Sequence, residues 1–240
     1  MWIKICANTN AEDAILAAEY GADAVGFVFA SSPRRVTAGQ IAAFMPELPP
    51  DITRIGIFNT QDFDDIVFSL RTAGLDGVQL HGELDFSLAE NLRRQFGASF
   101  FVIQTLHWDL SCEPARAEQR LREQLRAMAR HEAVDAVLLD SRTATATGGT
   151  GRTLDWPRAK DVLGSEAGPL RVILAGGLHP GNVREAINTL RPWGVDVASG
   201  VEQYPGKKDP GRLRDFITEA RAAFAEVEKL TRRTPVIYPM

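Results

Sequence analysis

Residues 171–209 read RVILAGGLHPGNVREAINTLRPWGVDVASGVEQYPGKKD. Two apolar runs rich in β-branched residues, 171–175 and 194–198, each stop at a pair of small residues. These are Gly176-Gly177 after the first and Ser199-Gly200 after the second, and a helical pattern follows each. Small residues at the carboxyl ends of successive strands let backbone N–H groups face a ligand, and a helix N-terminus behind them adds partial positive charge. A phosphate needs that environment, and in an eight-fold β/α barrel the loops after strands 7 and 8 are its usual place. Read alone, either pair is only a tight strand-to-helix turn. Two in consecutive units point to a phosphate site.

Working outward, the hydrophobic period switches repeatedly between strand-like and helix-like along the whole chain. Strands are expected at 3–6, 24–29, 53–58, 77–80, 99–105 and 134–140, ahead of the two already quoted. Helices are expected at 11–20, 37–45, 62–73, 85–96, 112–132, from 155, after each phosphate loop and at 209–227. Start signals support them: Asn8-Thr9-Asn10 with Glu12 and Asp13 behind, Thr37, and Gly21 and Gly74 as stops. Eight strand–helix units without a composition break imply one α/β domain, a single (β/α)8 TIM barrel over residues 1–228, with a tail at 229–240. No G-x-G-x-x-G follows the first strand, which argues against an open dinucleotide-binding sheet.

Composition closes off other classes. The 240 residues are 45% hydrophobic and 24% charged, ordinary for a globular chain with a large core. A net charge of −4 offers no basic face for nucleic acid or anionic membrane. No apolar run approaches the roughly 20 residues that span a bilayer, and MWIKICANTN has no signal-peptide core. Two cysteines, Cys6 and Cys112, build no disulfide framework, and no Cys/His spacing suggests zinc. The chain reads as cytoplasmic with reduced thiols; a monomer and a homodimer are both compatible with it.

Side chains at strand C-termini of a barrel converge on one mouth, where catalysis sits. Cys6, Arg35, His81 and Asp140 fall there with the phosphate loops. Cys6 reads equally as a small buried hydrophobe and as a nucleophile or base. In VDAVLLD, Asp140 closes a near-continuous apolar run, an expensive place for a charge without a function. Of the adjacent Arg34 and Arg35, one is a solvated surface residue and the other, read as Arg35, is suited to a bidentate grip on a carboxylate. His81 fits a structural and a functional role alike. The Gly- and Thr-rich loop 141–153 has the composition of a lid.

These residues sit in a series of motifs: KIC at 4–6, GADAVGFVF at 21–29, SPRRV at 32–36, VQLHGE at 78–83, LLDS at 138–141, GGTGRTLDW at 148–156, LAGGLHPGNV at 174–183 and SGVEQYPGKKD at 199–209. Their combination and order resemble phosphoribosylanthranilate isomerase over nearly the whole chain. The resemblance implies a barrel of the ribulose-phosphate-binding type and the third step from chorismate to tryptophan. In that step N-(5-phosphoribosyl)anthranilate becomes 1-(o-carboxyphenylamino)-1-deoxyribulose 5-phosphate by an Amadori rearrangement. It further implies Asp140 as general acid and Cys6 as general base, with Arg35 on the anthranilate carboxylate and His81 beside the substrate. Gly176, Gly177, Ser199 and Gly200 would hold the phosphate. No metal or organic cofactor is implied; the phosphoribosyl substrate is the expected partner.

One position departs from the family pattern: Ala7 stands where a glycine usually follows the cysteine. We expect this site to need a small side chain rather than a left-handed backbone, which alanine would strain. Other readings compete. The histidine-pathway isomerase performs the same rearrangement but has Asp where Cys6 stands. A Schiff-base aldolase needs a lysine where the sixth strand ends in Asp140. A non-catalytic phosphosugar-binding barrel would be expected to have lost the acid or the base.

Overall fold

The computed structural model describes residues 1–143, 146–147 and 154–233. Strands and helices alternate as β1 (Trp2–Ile5), α1 (Ala11–Glu19), β2 (Ala24–Val28), α2 (Ala38–Phe44), β3 (Thr53–Phe58), α3 (Phe63–Ala73), β4 (Gly77–Leu80) and α4 (Phe86–Phe96). They continue as β5 (Phe101–Asp109), α5 (Pro114–Met128), β6 (Ala136–Thr143), α6 (Trp156–Glu166), β7 (Arg171–Leu174), α7 (Val183–Leu190), β8 (Gly194–Val197) and α8 (Pro210–Arg233). Each strand pairs in parallel with the next, and β8 pairs with β1, closing the barrel. A short strand, Ala146–Thr147, folds back antiparallel on β6.

Local chemistry sets the boundaries. Asn10, Asp62, Asp85 and Asp155 each accept a backbone N–H at a helix start, and Thr37 forms a reciprocal capping box with Gln40. Gly74 ends α3 in the left-handed conformation. α5 is shorter than the pattern 112–132 suggests. It begins at Pro114, whose missing N–H suits a first helical turn, and buries Ala117, Leu121, Leu125 and Met128 along one stripe. β5 runs four residues beyond the expected Thr105, because Leu106 and Trp108 alternate outward into the helix layer and are buried there. α8 continues to Arg233. Residues 234–240, and most of the loop 141–153 with its lid expectation, lie outside the described residues.

The apolar core has two parts. Outward-facing strand residues such as Ile3, Ile5, Val25 and Phe27 pack against the helices, while Trp2, Ala24, Ile55, Ile103, Leu138 and Ile173 fill the lower barrel interior. Trp2 stacks on Trp193 at 5.4 Å and meets Phe101 at a tilt at 5.8 Å, plugging the bottom. Above this plug the interior turns polar. Lys4, Gln79, Thr105 and Asp196 are buried there, one layer below the strand ends.

Candidate active site

A cavity of about 470 Å³ opens over that polar layer, lined by Cys6, Ala7, Arg34, Ile57, Gln79, His81, Asp140, Asp196 and both glycine loops. An open groove of about 530 Å³ around Arg93, Glu132 and Asp135 lies at the amino-terminal ends of β5 and β6. That face of a barrel serves stability rather than catalysis, so the smaller, deeper cavity is the site.

The cavity floor is an ion pair. Lys4 and Asp196 face each other in the β1–β8 register, and Lys4 Nζ donates to Asp196 Oδ1 at 2.6 Å and to Gln79 Oε1 at 2.9 Å. Gln79 in turn donates to Thr105 Oγ1 at 3.1 Å. Lys4 is fully buried. Burial opposes its ammonium, but the Asp196 carboxylate and Cys6 outweigh that and hold its pKa above the usual lysine value.

Cys6 and Asp140 stand over this pair. Burial pushes the Cys6 thiol up, with Asp196 adding to the rise, while Lys4 and Lys208 pull toward thiolate; the net direction is upward. Burial likewise pushes the Asp140 carboxyl up to about 7, helped by repulsion from Asp196 and opposed by the Ser141 N–H and Lys4. A carboxyl held near neutrality is matched to proton donation.

The glycine loops form the opposite wall. Gly176 and Gly177 take φ values of +82° and +66°, and a Cβ at Gly176 would collide with Ser141. A Cβ at Gly200 would run into the Leu178 carbonyl, so the two loops touch each other and leave no room for a side chain. Asn182 ties the first loop together, donating to Gly177 O at 3.0 Å and accepting from the His179 N–H at 2.8 Å. Ser199–Val201 forms a single 3₁₀ turn at the second loop. All four predicted phosphate residues therefore line one side of the cavity.

The arginines divide differently from the expected grip. Arg34 lines the cavity, but its guanidinium is clamped on Glu202, with Nε at 2.8 Å and Nη2 at 2.7 Å from the carboxylate oxygens. Arg35 is exposed and lies outside the lining residues. Glu202 also receives Lys208 Nζ at 3.4 Å, and Lys208 in turn donates to the Cys6 carbonyl. His81 lines the cavity wall and shares an edge-to-face contact with His107 at 4.8 Å.

The sequence reading missed Lys4, Asp196, Glu202 and Lys208. A signal existed for the first two: each is a lone charge at the inward position of a short apolar strand, Ile3-Lys4-Ile5 and Val195-Asp196-Val197. Ala7 requires a correction. Its φ is +61°, so the position does take the left-handed backbone, and the expectation that only side-chain size matters is overturned. The chain must bend sharply there because the Asn8 N–H reaches back to the Gly26 carbonyl at 2.9 Å.

A closed parallel barrel whose strand C-termini bring paired glycine loops, a thiol and a raised carboxyl to one cavity is the architecture of a barrel enzyme with its site at that mouth. The family model described as N-(5'phosphoribosyl)anthranilate (PRA) isomerase matches residues 3–219. The N-(5'-phosphoribosyl)anthranilate isomerase of Pelobacter propionicus is 41% identical over 227 residues, covering 93% of this chain and 97% of that protein. A phosphoribosyl anthranilate isomerase structure from Thermus thermophilus superposes with a TM-score of 0.76 at 33% identity, covering 92% of this chain and 99% of its own. Another, in complex with reduced 1-(o-carboxyphenylamino)-1-deoxyribulose 5-phosphate, gives 0.72 at 33% identity with the same coverage. The chain belongs to the phosphoribosylanthranilate isomerase family.

Two outcomes follow from the local energetics. Ala7→Gly relieves a left-handed alanine and is expected to raise stability by about 1 kcal/mol in urea unfolding, with β1 otherwise unchanged. Asp140 carries a folded-state pKa of about 7 against 3.8 unfolded, so its charged form is disfavoured by folding. Asp140→Asn should therefore be more stable than wild type above pH 7, by up to about 4 kcal/mol. The gain should shrink through pH 7 to 4 and vanish below, as followed by Tm against pH.

Proposed function

We propose that this isomerase converts N-(5-phosphoribosyl)anthranilate to 1-(o-carboxyphenylamino)-1-deoxyribulose 5-phosphate. The observation that carries the reading is the pairing of Cys6 and Asp140 across one cavity whose far wall is the double glycine loop. With the phosphate on Gly176, Gly177, Ser199 and Gly200, the ribose extends across the cavity floor between the two titratable groups. Backbone N–H groups suit that end because they bind the anion without adding a titrating side chain.

Asp140, protonated near neutral pH, gives its proton to the furanose ring oxygen as the C1–O bond breaks. The nitrogen lone pair completes an iminium, and the ring oxygen leaves as the C4 hydroxyl. Cys6, drawn by Lys4 and Lys208 toward thiolate against the upward push of burial, then removes the C2 proton in its thiolate form, and the C2–H electrons form the enolamine, with the iminium nitrogen as their sink. Tautomerisation of the enolamine yields the ketone. Lys4 lies under both groups: its ammonium favours the Cys6 thiolate, and Asp196 keeps it charged in the barrel interior. The substrate's own amine supplies the electron sink.

The anthranilate end is assigned to the mouth formed by the loop after β2. Arg34 is held by Glu202, which leaves the exposed guanidinium of Arg35 as the group to grip the carboxylate, with His81 beside the substrate on the opposite wall. The histidine-pathway rearrangement is the second reading to weigh, and Cys6 in place of a carboxylate disfavours it. The family places the chain in tryptophan biosynthesis, and no helix among the described residues is long and apolar enough to cross a membrane.

Decay of anthranilate fluorescence, with substrate generated in situ, tests the acid–base pair. Wild type should turn over rapidly, and Cys6→Ser and Asp140→Asn should each lose on the order of 10²–10⁴-fold in kcat. Activity surviving in Cys6→Ser would remove Cys6 as the base, and a folded but inactive wild type would remove the substrate assignment. Arg35→Ala is expected to raise KM with kcat nearly unchanged, because a carboxylate remote from the reacting carbons is held equally in ground and transition states. The same change from Arg34→Ala but not Arg35→Ala would move the grip to Arg34.

A further inference from the structure

The strands β4, β5 and β6 bring a second cluster to the cavity edge. His107 and Asp140 are direct partners in the β5–β6 register, so their side chains leave the same face of the sheet. His81 follows the last residue of β4, and its ring meets that of His107 edge-on at 84°. One donor atom from each of His81, His107 and Asp140 lies within 4.8 Å of the others. His107 Nε2 sits 3.2 Å from the His81 carbonyl oxygen. A carbonyl only accepts, so Nε2 is the donor in that contact. A ring nitrogen held on a backbone carbonyl is a usual outer-shell contact of a metal-bound histidine.

We propose that His81, His107 and Asp140 form a binding site for a divalent transition metal of the zinc, cobalt or nickel type. Two imidazoles and one carboxylate match these ions and not magnesium or calcium, which take all-oxygen shells. At bond lengths of about 2.0–2.2 Å the donors of a tetrahedral site sit roughly 3.3 Å apart, so the three side chains close in by about 1.5 Å through rotation. His81 and Asp140 line the catalytic cavity, and His81 and His107 line the adjoining one with Thr105 and Gln124. The metal here is an inhibitor and not a cofactor. By taking the Asp140 carboxylate as a ligand it removes the proton donor; this consequence rests on the acid role assigned to Asp140 above. The site depends on β5 reaching past Thr105, without which His107 would not stand beside Asp140.

The test is zinc chloride titrated calorimetrically into metal-free full-length protein at pH 8, with cobalt spectra in parallel. Wild type should bind one ion in the micromolar range. His107→Asn should weaken binding by ~10-fold or more while keeping metal-free turnover, and Cys6→Ser should bind as wild type does. Bound cobalt should give visible d–d bands without a thiolate charge-transfer band. Absent binding up to millimolar zinc, binding unchanged in His107→Asn, or binding lost in Cys6→Ser would each overturn the site. Fluorescence-monitored turnover separates the two assignments. Inhibition by zinc in wild type, relieved by chelator and weakened in His107→Asn, supports the site and the acid together. One-to-one binding through His107 with turnover intact upholds the metal site and removes Asp140 as the acid.

Discussion

The structure depends on a fully buried lysine. Lys4 points into the closed barrel one layer below the strand ends, where water cannot solvate it, and its 2.6 Å contact with Asp196 is what makes the position tolerable. An unpaired ion there would cost several kcal/mol or give up its charge. Because the partners come from β1 and β8, the strands that close the barrel, the pair also needs the closure to be complete. Its electrostatic reach extends to both reactive groups: the ammonium draws Cys6 toward thiolate, while Asp196 helps keep the Asp140 carboxyl protonated. One ion pair thus pulls the proton affinities of Cys6 and Asp140 in opposite senses.

A second polar chain holds the mouth in shape. Arg34 from the loop after β2 grips Glu202, Glu202 receives Lys208, and Lys208 reaches the Cys6 carbonyl. Asp13 in α1 joins from the side, accepting from the Lys208 N–H at 2.8 Å and from Lys207 Nζ at 2.7 Å. The ends of β1, β2 and β8 are therefore locked together around Cys6. This chain also explains why the two neighbouring arginines differ: Arg34 lines the cavity with its guanidinium tied to Glu202, and Arg35 is exposed.

The anion wall uses a different device. Both loops meet at Gly200 and Leu178 so closely that no side chain fits at Gly200. Ala7 shows the converse cost. The bend after Cys6 demands positive φ, and alanine accepts it at a penalty of about 1–2 kcal/mol. Such strain persists where surrounding contacts over-determine the backbone, here the Asn8–Gly26 bond and the Lys208 grip on the Cys6 carbonyl.

The sequence by itself determined the alternation of elements, because hydrophobic period and capping residues are local properties. β3 and β4 fall at the residues the pattern indicates, and Asp62, Asp85 and Asp155 cap the helices they precede. It also determined which residues reach the mouth, since in a barrel strand C-termini converge whatever the loops do: Cys6, His81, Asp140 and the glycine pairs all line the cavity. Only the tertiary structure decided what lies between them. That Lys4 meets Asp196 across 192 positions, that Arg34 rather than Arg35 is tied to Glu202, and that His107 stands beside Asp140 follow from closure and strand register. The backbone at Ala7 belongs with these, because its sign of φ is set by the Gly26 carbonyl on the neighbouring strand. Pairings between distant residues depend on which side chains the closed sheet turns to the same level, and no local pattern records that.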